Sequence, residues 1–102
     1  MDIQVNTDNH IKGSEKFSAY VNNVVESAVS NFRDQISHVG VHISDQNSSK
    51  VGFNDKRCTM EARIIGRKTT AVSHDADSVD EAVMGAAEKI KHSIESTLGK
   101  KR

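Results

Sequence analysis

The chain has 102 residues, with 14 basic and 14 acidic side chains that cancel and aromatic residues at only 4% of the total. This length supports one hydrophobic core, so we expect a single domain over residues 1–102 with a short basic tail at 99–102, and no room for a catalytic domain beside a regulatory one. No apolar run approaches the roughly 20 residues that span a bilayer, no basic leader precedes an apolar stretch at the N-terminus, and a lone cysteine suits a reducing compartment; together these predict a cytoplasmic protein.

The first predicted elements are a short strand and a long helix. Ile3 and Val5 alternate with polar residues, as in a strand with one buried face. Apolar residues then recur at three- and four-residue steps from Phe17 to Phe32, which predicts an amphipathic helix that ends near Phe32. Ser14 is the expected N-cap of this helix.

Three strands follow, because the apolar period changes from 3.6 residues to two. Alternation from Val39 to Ile43 predicts one strand, alternation from Cys58 to Ile64 predicts another, and a third is expected near Thr69 to His74. A short turn at Gly66 to Lys68 separates the last two strands, which indicates a hairpin.

A second helix closes the chain. Its apolar residues recur from Val79 to Leu98, Ser78 and Glu81 have the spacing of a capping box, and Gly99 can terminate it. The order β-α-β-β-β-α predicts an α+β fold, a two-layer sandwich in which a four-stranded mixed sheet carries two helices on one face. A helical crossover makes the first two strands parallel, and short connections make the last three antiparallel.

Residues suited to catalysis or metal binding do not form a convincing group. The glycines are scattered singly, so no phosphate-binding loop for nucleotide hydrolysis is present. A calcium loop is disfavoured because Lys50 and Lys56 stand where a glycine and the closing glutamate belong. His38 and His42 share a strand face about 13 Å apart at ~3.3 Å per residue, which is too far to share a metal.

The remaining candidates have structural explanations. The stretch from His74 to Asp77 fits a strand end that leads into a capped helix. Cys58 alternates onto the buried face, which favours a structural role over a nucleophile. Because no acid and base are positioned as a pair, we expect no enzymatic activity, no cofactor and no metal.

The charges are sorted into blocks, although they cancel overall. Residues 56–68 carry five basic side chains and one acidic, residues 75–81 carry four acidic side chains, and residues 89–102 again carry five basic and one acidic. Such blocks serve either as solvated faces of a small domain or as surfaces for a shaped polyanion. With few aromatic residues to stack unpaired bases, structured RNA is the better polyanion. The candidate RNA-binding residues are Arg57, Arg63, Arg67, Lys68, Lys89, Lys91, His92, Lys100, Lys101 and Arg102.

Several segments together resemble the short ribosome hibernation-promoting factors, the family that includes the ribosome-associated inhibitor A of bacteria. The resemblance covers nearly the whole chain, and no single segment is diagnostic by itself. The segments are Ile3-Gln4-Val5-Asn6, Asn31-Phe32, Ile36 to Ser44, Asp55 to Arg63, Asp80-Glu81-Ala82 and Ala87-Glu88-Lys89-Ile90.

The resemblance implies a factor that binds the small ribosomal subunit and its RNA in the channel for messenger and transfer RNA, inhibits translation and stabilises idle ribosomes under stress or in stationary phase. Lys89 matches a basic position of the family, and His92 stands where arginine is common. Members of the family often carry a basic run in the last turns of the closing helix, whereas residues 93–97 here contain Glu95 and no lysine or arginine. Binding is therefore expected either to be weaker or to depend more on Arg57, Arg63, Arg67 and the tail from Lys100 to Arg102.

Two other functions fit the same residues. One is a protein-interaction module that modulates a regulator through its open sheet face or an edge strand. The other is a generic binder of double-stranded RNA, which would recognise simple duplexes without a ribosome.

Overall fold

A computed structural model of the chain describes residues 1–8, 14–46 and 55–99. Its elements follow the predicted order β-α-β-β-β-α, with one additional 3₁₀ segment after the first helix. They are β1 (Asp2–Thr7), α1 (Glu15–Val29), the 3₁₀ segment (Ser30–Gln35), β2 (Ile36–Asp45), β3 (Lys56–Ile64), β4 (Thr70–Ala76) and α2 (Val79–Gly99).

The four strands form one mixed sheet in the order β1-β2-β3-β4. β1 pairs with β2 in parallel, whereas β2 with β3 and β3 with β4 are antiparallel. The register sets Val5 beside Val41 and Val41 beside Met60, so apolar residues on neighbouring strands share a face. The predicted mixed sheet and antiparallel meander are confirmed.

Both helices cover that apolar face and close the core. In α1 the buried residues are Val21, Val25 and Val29, at a four-residue spacing that gives one stripe. In α2 the buried stripe is made largely of small residues such as Ala82 and Ala86, which let the helix approach the sheet closely. Within the described residues no helix is long and apolar enough to cross a membrane.

The predicted helix starts are confirmed by their hydrogen bonds. The Ser14 hydroxyl accepts a bond from the backbone N–H of Phe17 at 3.0 Å. The Ser78 hydroxyl accepts one from the N–H of Glu81 at 3.1 Å and donates to its carboxylate at 3.3 Å. Each serine satisfies a backbone donor that the first turn of a helix leaves without a partner.

The end of the first helix differs from the prediction. The α-helix ends at Val29, and the chain continues as a more tightly wound 3₁₀ segment that contains Phe32. The hydroxyl of Ser30 donates to the carbonyl oxygen of Ser27 at 3.3 Å, which is a side-chain bond that competes with helical backbone pairing. Phe32 still packs against the core, so its apolar spacing was informative although the winding changed.

The hairpin between β3 and β4 has the predicted position, and β4 extends two residues beyond the predicted His74. The backbone N–H of Arg67 donates to the carbonyl of Ile64 at 3.0 Å, which closes a four-residue turn. Gly66 has φ +77°, a conformation that L side chains rarely adopt and that glycine accepts freely. Glycine is thus strongly favoured at this one turn position.

The domain has two distinct ends. Near one end, the start of α1 meets the start of α2, where the Tyr20 hydroxyl donates to the Asp80 carboxylate. We call this the acidic end, comprising the end of β4 and the first turns of both helices. We call the opposite end the turn end, comprising the 3₁₀ segment, the β3–β4 turn and the last turn of α2. Phe32 and Leu98 line a shallow surface pocket there.

We predict that Gly85→Ala destabilises the protein, although alanine is the better helix former. A Cβ at Gly85 would overlap the imidazole ring of His74, which lies between β4 and α2. The expected loss is about 1–3 kcal/mol, as for other overpacked sites. Urea denaturation of the variant measures it.

The matched control is the same change in a His74→Ala background. With the ring removed, Gly85→Ala should instead stabilise by up to about 1 kcal/mol, through helix propensity alone. An equal effect in both backgrounds would show that the imidazole does not restrict this position.

Candidate nucleic-acid interface

Three of the predicted RNA-binding residues come together at the turn end. Arg63 lies on the open face of β3, between the buried residues Ala62 and Ile64, and Arg67 and Lys68 follow in the turn. All three side chains are exposed, and none forms an ion pair with another residue in the part of the chain that the structure describes. Their charges are therefore available to a partner.

Arg57 shares the open face of β3 but lies at the other end of the strand. It lies six positions before Arg63, which is about 20 Å at ~3.3 Å per residue. It forms a two-point pair with Asp75 across the β3–β4 ladder, with Nε to Oδ1 at 2.8 Å and the second nitrogen to Oδ2 at 3.2 Å. Hydrogen bonding to the Arg57 guanidinium lowers the pKa of the Asp75 carboxyl. Arg57 is thus already engaged by an anion.

The two lysines of α2 lie on opposite flanks of the helix. The Lys89 ammonium donates to the backbone carbonyl of Ser73 at 3.0 Å, on the edge strand β4. Lys91 is half-buried and lines the groove between α1 and α2. Two residues along an α-helix correspond to a rotation of about 200°, so these charges do not act on one surface.

His92 lies between two carboxylates of its own helix. Its Nε2 is 2.9 Å from Glu88 and its Nδ1 is 3.3 Å from Glu95. Both acids are within one turn, so the local field around the imidazole is negative. His92 therefore offers less attraction to a polyanion than an arginine without acidic neighbours would.

The last three predicted residues, Lys100, Lys101 and Arg102, lie outside the described residues. The helix that leads to them ends at Gly99, at the turn end. The sequence analysis missed Arg33, an exposed cation on the 3₁₀ segment of the same end, whose guanidinium is 3.5 Å from Glu26. Its position just after the first predicted helix was the available signal.

The acidic block lies at the other end of the domain. Asp75 lies next to the last residue of β4, and Asp80 and Glu81 are in the first turn of α2. Negative side chains at a helix N-terminus complement the helix dipole, so these acids have a structural reason to be there. The hydrogen bond to Asp80 raises the pKa of Tyr20. Cations available at one end and acids at the other give the domain an electrical polarity despite its zero net charge.

No group of three or more possible metal ligands occurs in the described residues. His38 and His42 lie on the open sheet face as expected, and His38 Nδ1 is 3.8 Å from Asp2. The loop compared with a calcium site lies mostly at residues 47–54, outside the described part. Cys58 is fully buried in the core, as predicted, and burial raises its pKa to about 12.

A groove of about 450 Å³ runs between the two helices. Tyr20 and Met84 are its large apolar side chains, and Glu88 and Lys91 are its charged residues. The groove is open and contains no nucleophile paired with a base, so it does not have the arrangement that acid–base or covalent catalysis requires.

The comparisons with known proteins bear on the family and the fold. The family model described as Sigma 54 modulation protein / S30EA ribosomal protein matches residues 3–102. A search of curated proteins found no significant match.

Two solved structures share the fold at low identity. The Protein Y N-terminal domain of Thermus thermophilus superposes with a TM-score of 0.74 at 13% identity, covering 94% of this chain and 98% of that one. A ribosomal subunit interface protein from Coxiella burnetii superposes with a TM-score of 0.71 at 15% identity, covering 94% and 96%.

The burial of Cys58 predicts an unreactive thiol. At pH 8 a thiol with a pKa of about 12 should react with iodoacetamide about a thousandfold more slowly than an unfolded one, since only the thiolate is nucleophilic. Mass spectrometry of alkylated protein, folded and in urea, measures both rates. Equal rates in the two states would contradict a buried structural cysteine.

Proposed function

This chain belongs to the Sigma 54 modulation protein / S30EA ribosomal protein family, and we propose that it is a ribosome hibernation factor. It binds the small ribosomal subunit in the channel for messenger and transfer RNA, inhibits translation, and stabilises idle ribosomes under stress or in stationary phase. The observation that carries the proposal is the group of Arg63, Arg67 and Lys68 at the turn end, exposed and unpaired with any described residue.

The polarity of the domain supports a defined orientation on RNA. A chain with a uniform positive charge would coat RNA without orientation, whereas this one attracts phosphates at the turn end and repels them at the acidic end. The turn end therefore approaches the ribosomal RNA first. Zero net charge limits attachment to nucleic acid at other sites.

Rigid attachment of these cations suits structured RNA. Arg63 is fixed by strand pairing, and the backbone bond between Arg67 and Ile64 holds the turn. Because the backbone that carries these side chains is already ordered, binding has to order only the side chains themselves, and their attachment points can match the phosphate positions of a folded RNA by shape. A flexible basic tail alone would lack this selectivity.

Inhibition follows from occupancy and needs no catalytic group. A folded domain seated in the channel excludes messenger and transfer RNA sterically, and release restores the ribosome unchanged. The proposed function is accordingly non-enzymatic and cytoplasmic, where ribosomes work, and it requires neither a cofactor nor a membrane.

The geometry disfavours strand addition at β4 as an alternative. The ammonium of Lys89 donates a hydrogen bond to the Ser73 carbonyl on this edge strand, so that carbonyl is not available to an added strand. A charged side chain at a sheet edge also opposes pairing with another strand. Salt separates the two modes of binding, because RNA contacts weaken steeply between low and moderate salt while backbone pairing does not.

The proposal predicts that Arg67→Gln weakens co-sedimentation with small subunits. Loss of one phosphate contact should lower the slope of log affinity against log salt by about one. Sucrose-gradient sedimentation at several salt concentrations, with duplex RNA as competitor, measures affinity, slope and selectivity for the ribosome.

Lys16→Gln is the matched control, since Lys16 is an exposed cation near the start of α1, at the acidic end. It should leave both affinity and slope unchanged. Equal losses for the two variants would contradict an interface at the turn end, and failure of the wild-type protein to sediment with ribosomes at low salt would contradict the function itself.

Asp75→Asn should leave binding nearly unchanged, although it releases Arg57. The carboxylate of Asp75 holds the guanidinium at 2.8 Å, but both residues lie at the acidic end, away from the proposed contact, so we expect less than about a twofold change in affinity for small subunits at moderate salt. Filter binding with labelled subunits measures this change.

A double-mutant cycle with Arg57→Gln identifies the cause of any gain. We expect Asp75→Asn to have the same small effect in both backgrounds. A gain of about fivefold or more that is lost in the Arg57→Gln background would mean that the released guanidinium contacts the ribosome, which would contradict the proposed orientation.

A further inference from the structure

One large apolar side chain at the turn end has no evident role in the fold. Among the described residues, the exposed large hydrophobic side chains are Tyr20 (37%), Met84 (53%) and Ile65 (62%). Tyr20 and Met84 line the groove between the helices, and the Tyr20 hydroxyl is bonded to Asp80. Ile65 lies apart from both, in the β3–β4 turn.

The backbone around Ile65 is fixed on both sides. Its N–H donates to the carbonyl of Gln35 at 2.8 Å, and the bond from Arg67 to Ile64 closes the turn at 3.0 Å. Ile64, the preceding residue, is buried in the core. The Ile65 side chain is therefore presented to solvent by a rigid turn, so little entropy is lost when a partner covers it.

The turn itself does not require isoleucine. Ile65 and Gly66 are the two central residues of the turn. The positive φ at Gly66 restricts the residue type at position 66 and not at position 65. The first central position of such a turn accepts most residues, and here only proline is excluded, because the N–H at position 65 donates to Gln35. A β-branched apolar residue at position 65 does not stabilise the turn. Because the side chain is exposed, it does not contribute to the core either.

The surroundings of Ile65 indicate what could cover it. Arg63, Arg67 and Lys68 are exposed on either side of it along the chain, without ion-pair partners in the described residues. An apolar side chain flanked by cations is complementary to a surface on which less polar groups are flanked by anions. The wide, shallow minor groove of A-form RNA is such a surface, with ribose and base edges between two rows of phosphates.

We propose that Ile65 is an RNA-contacting residue, and that the β3–β4 turn enters the minor groove of an A-form segment of ribosomal RNA. Ile65 packs on the sugars, while Arg67 and Lys68 contact phosphates beside it. This inference rests on the ribosome binding proposed above, and it adds an uncharged contact that the charge blocks did not reveal.

The first test compares Ile65→Ser with Met84→Ser, which removes an apolar side chain of similar exposure from the helix groove. Because burial of an apolar side chain would be lost, Ile65→Ser should bind small subunits about five- to tenfold more weakly in sedimentation, with an unchanged salt slope. Met84→Ser should bind like the wild type. Circular dichroism and urea midpoints confirm that both variants fold.

The outcomes separate this inference from the function on which it rests. Failure of the wild-type protein to bind removes the proposed function. Wild-type binding with an equally tight Ile65→Ser variant, or an equal loss for Met84→Ser, overturns the role of Ile65 alone.

A second test identifies the partner directly. Ile65→benzoylphenylalanine, irradiated in the complex with small subunits, should cross-link to ribosomal RNA, and Met84→benzoylphenylalanine should not. Cross-links from position 65 only to ribosomal proteins, or none from a variant that still binds, would overturn the inference.

Discussion

The core of this domain forms where both helices pack on one side of a single sheet, and this constraint fixes the direction of every element. β1 and β4 both end at the acidic end, because β1 is parallel to β2 and the meander brings β4 back to the same direction. Each helix follows one of these strands and returns along the same face. Both helices therefore begin at the acidic end and run towards the turn end.

The acidic half of the electrical polarity follows from this geometry. Two helices that start at the same end add their dipoles there, which favours acids in the first turns, and Glu15, Asp80 and Glu81 occupy these turns. Neither helix has a basic residue in its last turn, and Arg63, Arg67 and Lys68 lie on β3 and in the turn that follows it. The dipoles therefore explain the position of the acids, and the β3–β4 hairpin sets the position of the cations.

The sequence was informative wherever a feature depends on local spacing. Ser14 and Ser78 identified the helix starts, and the alternation around Met60 identified the buried side of β3. The flanks of α2 occupied by Lys89 and Lys91 depend on which side faces the sheet, and the pairing of Arg57 with Asp75 depends on strand register; neither follows from spacing alone. The 3₁₀ winding after Val29 was missed because Phe32 keeps an apolar position in both windings.

The candidate site was predicted in part for the same reason. The charge block in the sequence correctly grouped Arg67 with Lys68, because consecutive residues in a tight turn stay close together in space. It also grouped Arg57 with them, although a six-residue stretch of strand separates its Cα from that of Arg63 by about 20 Å. The carboxylates around His92 could have been found from helical spacing, since they stand four residues before it and three after.

The most direct test of an oriented RNA-binding domain is an electron cryo-microscopy structure of the protein on the small ribosomal subunit. The account predicts that the domain lies in the channel for messenger and transfer RNA, with the turn end against ribosomal RNA and the acidic end away from it. A complex in which the acidic end or the edge of β4 contacts the subunit, or in which the domain lies outside the channel, would contradict it.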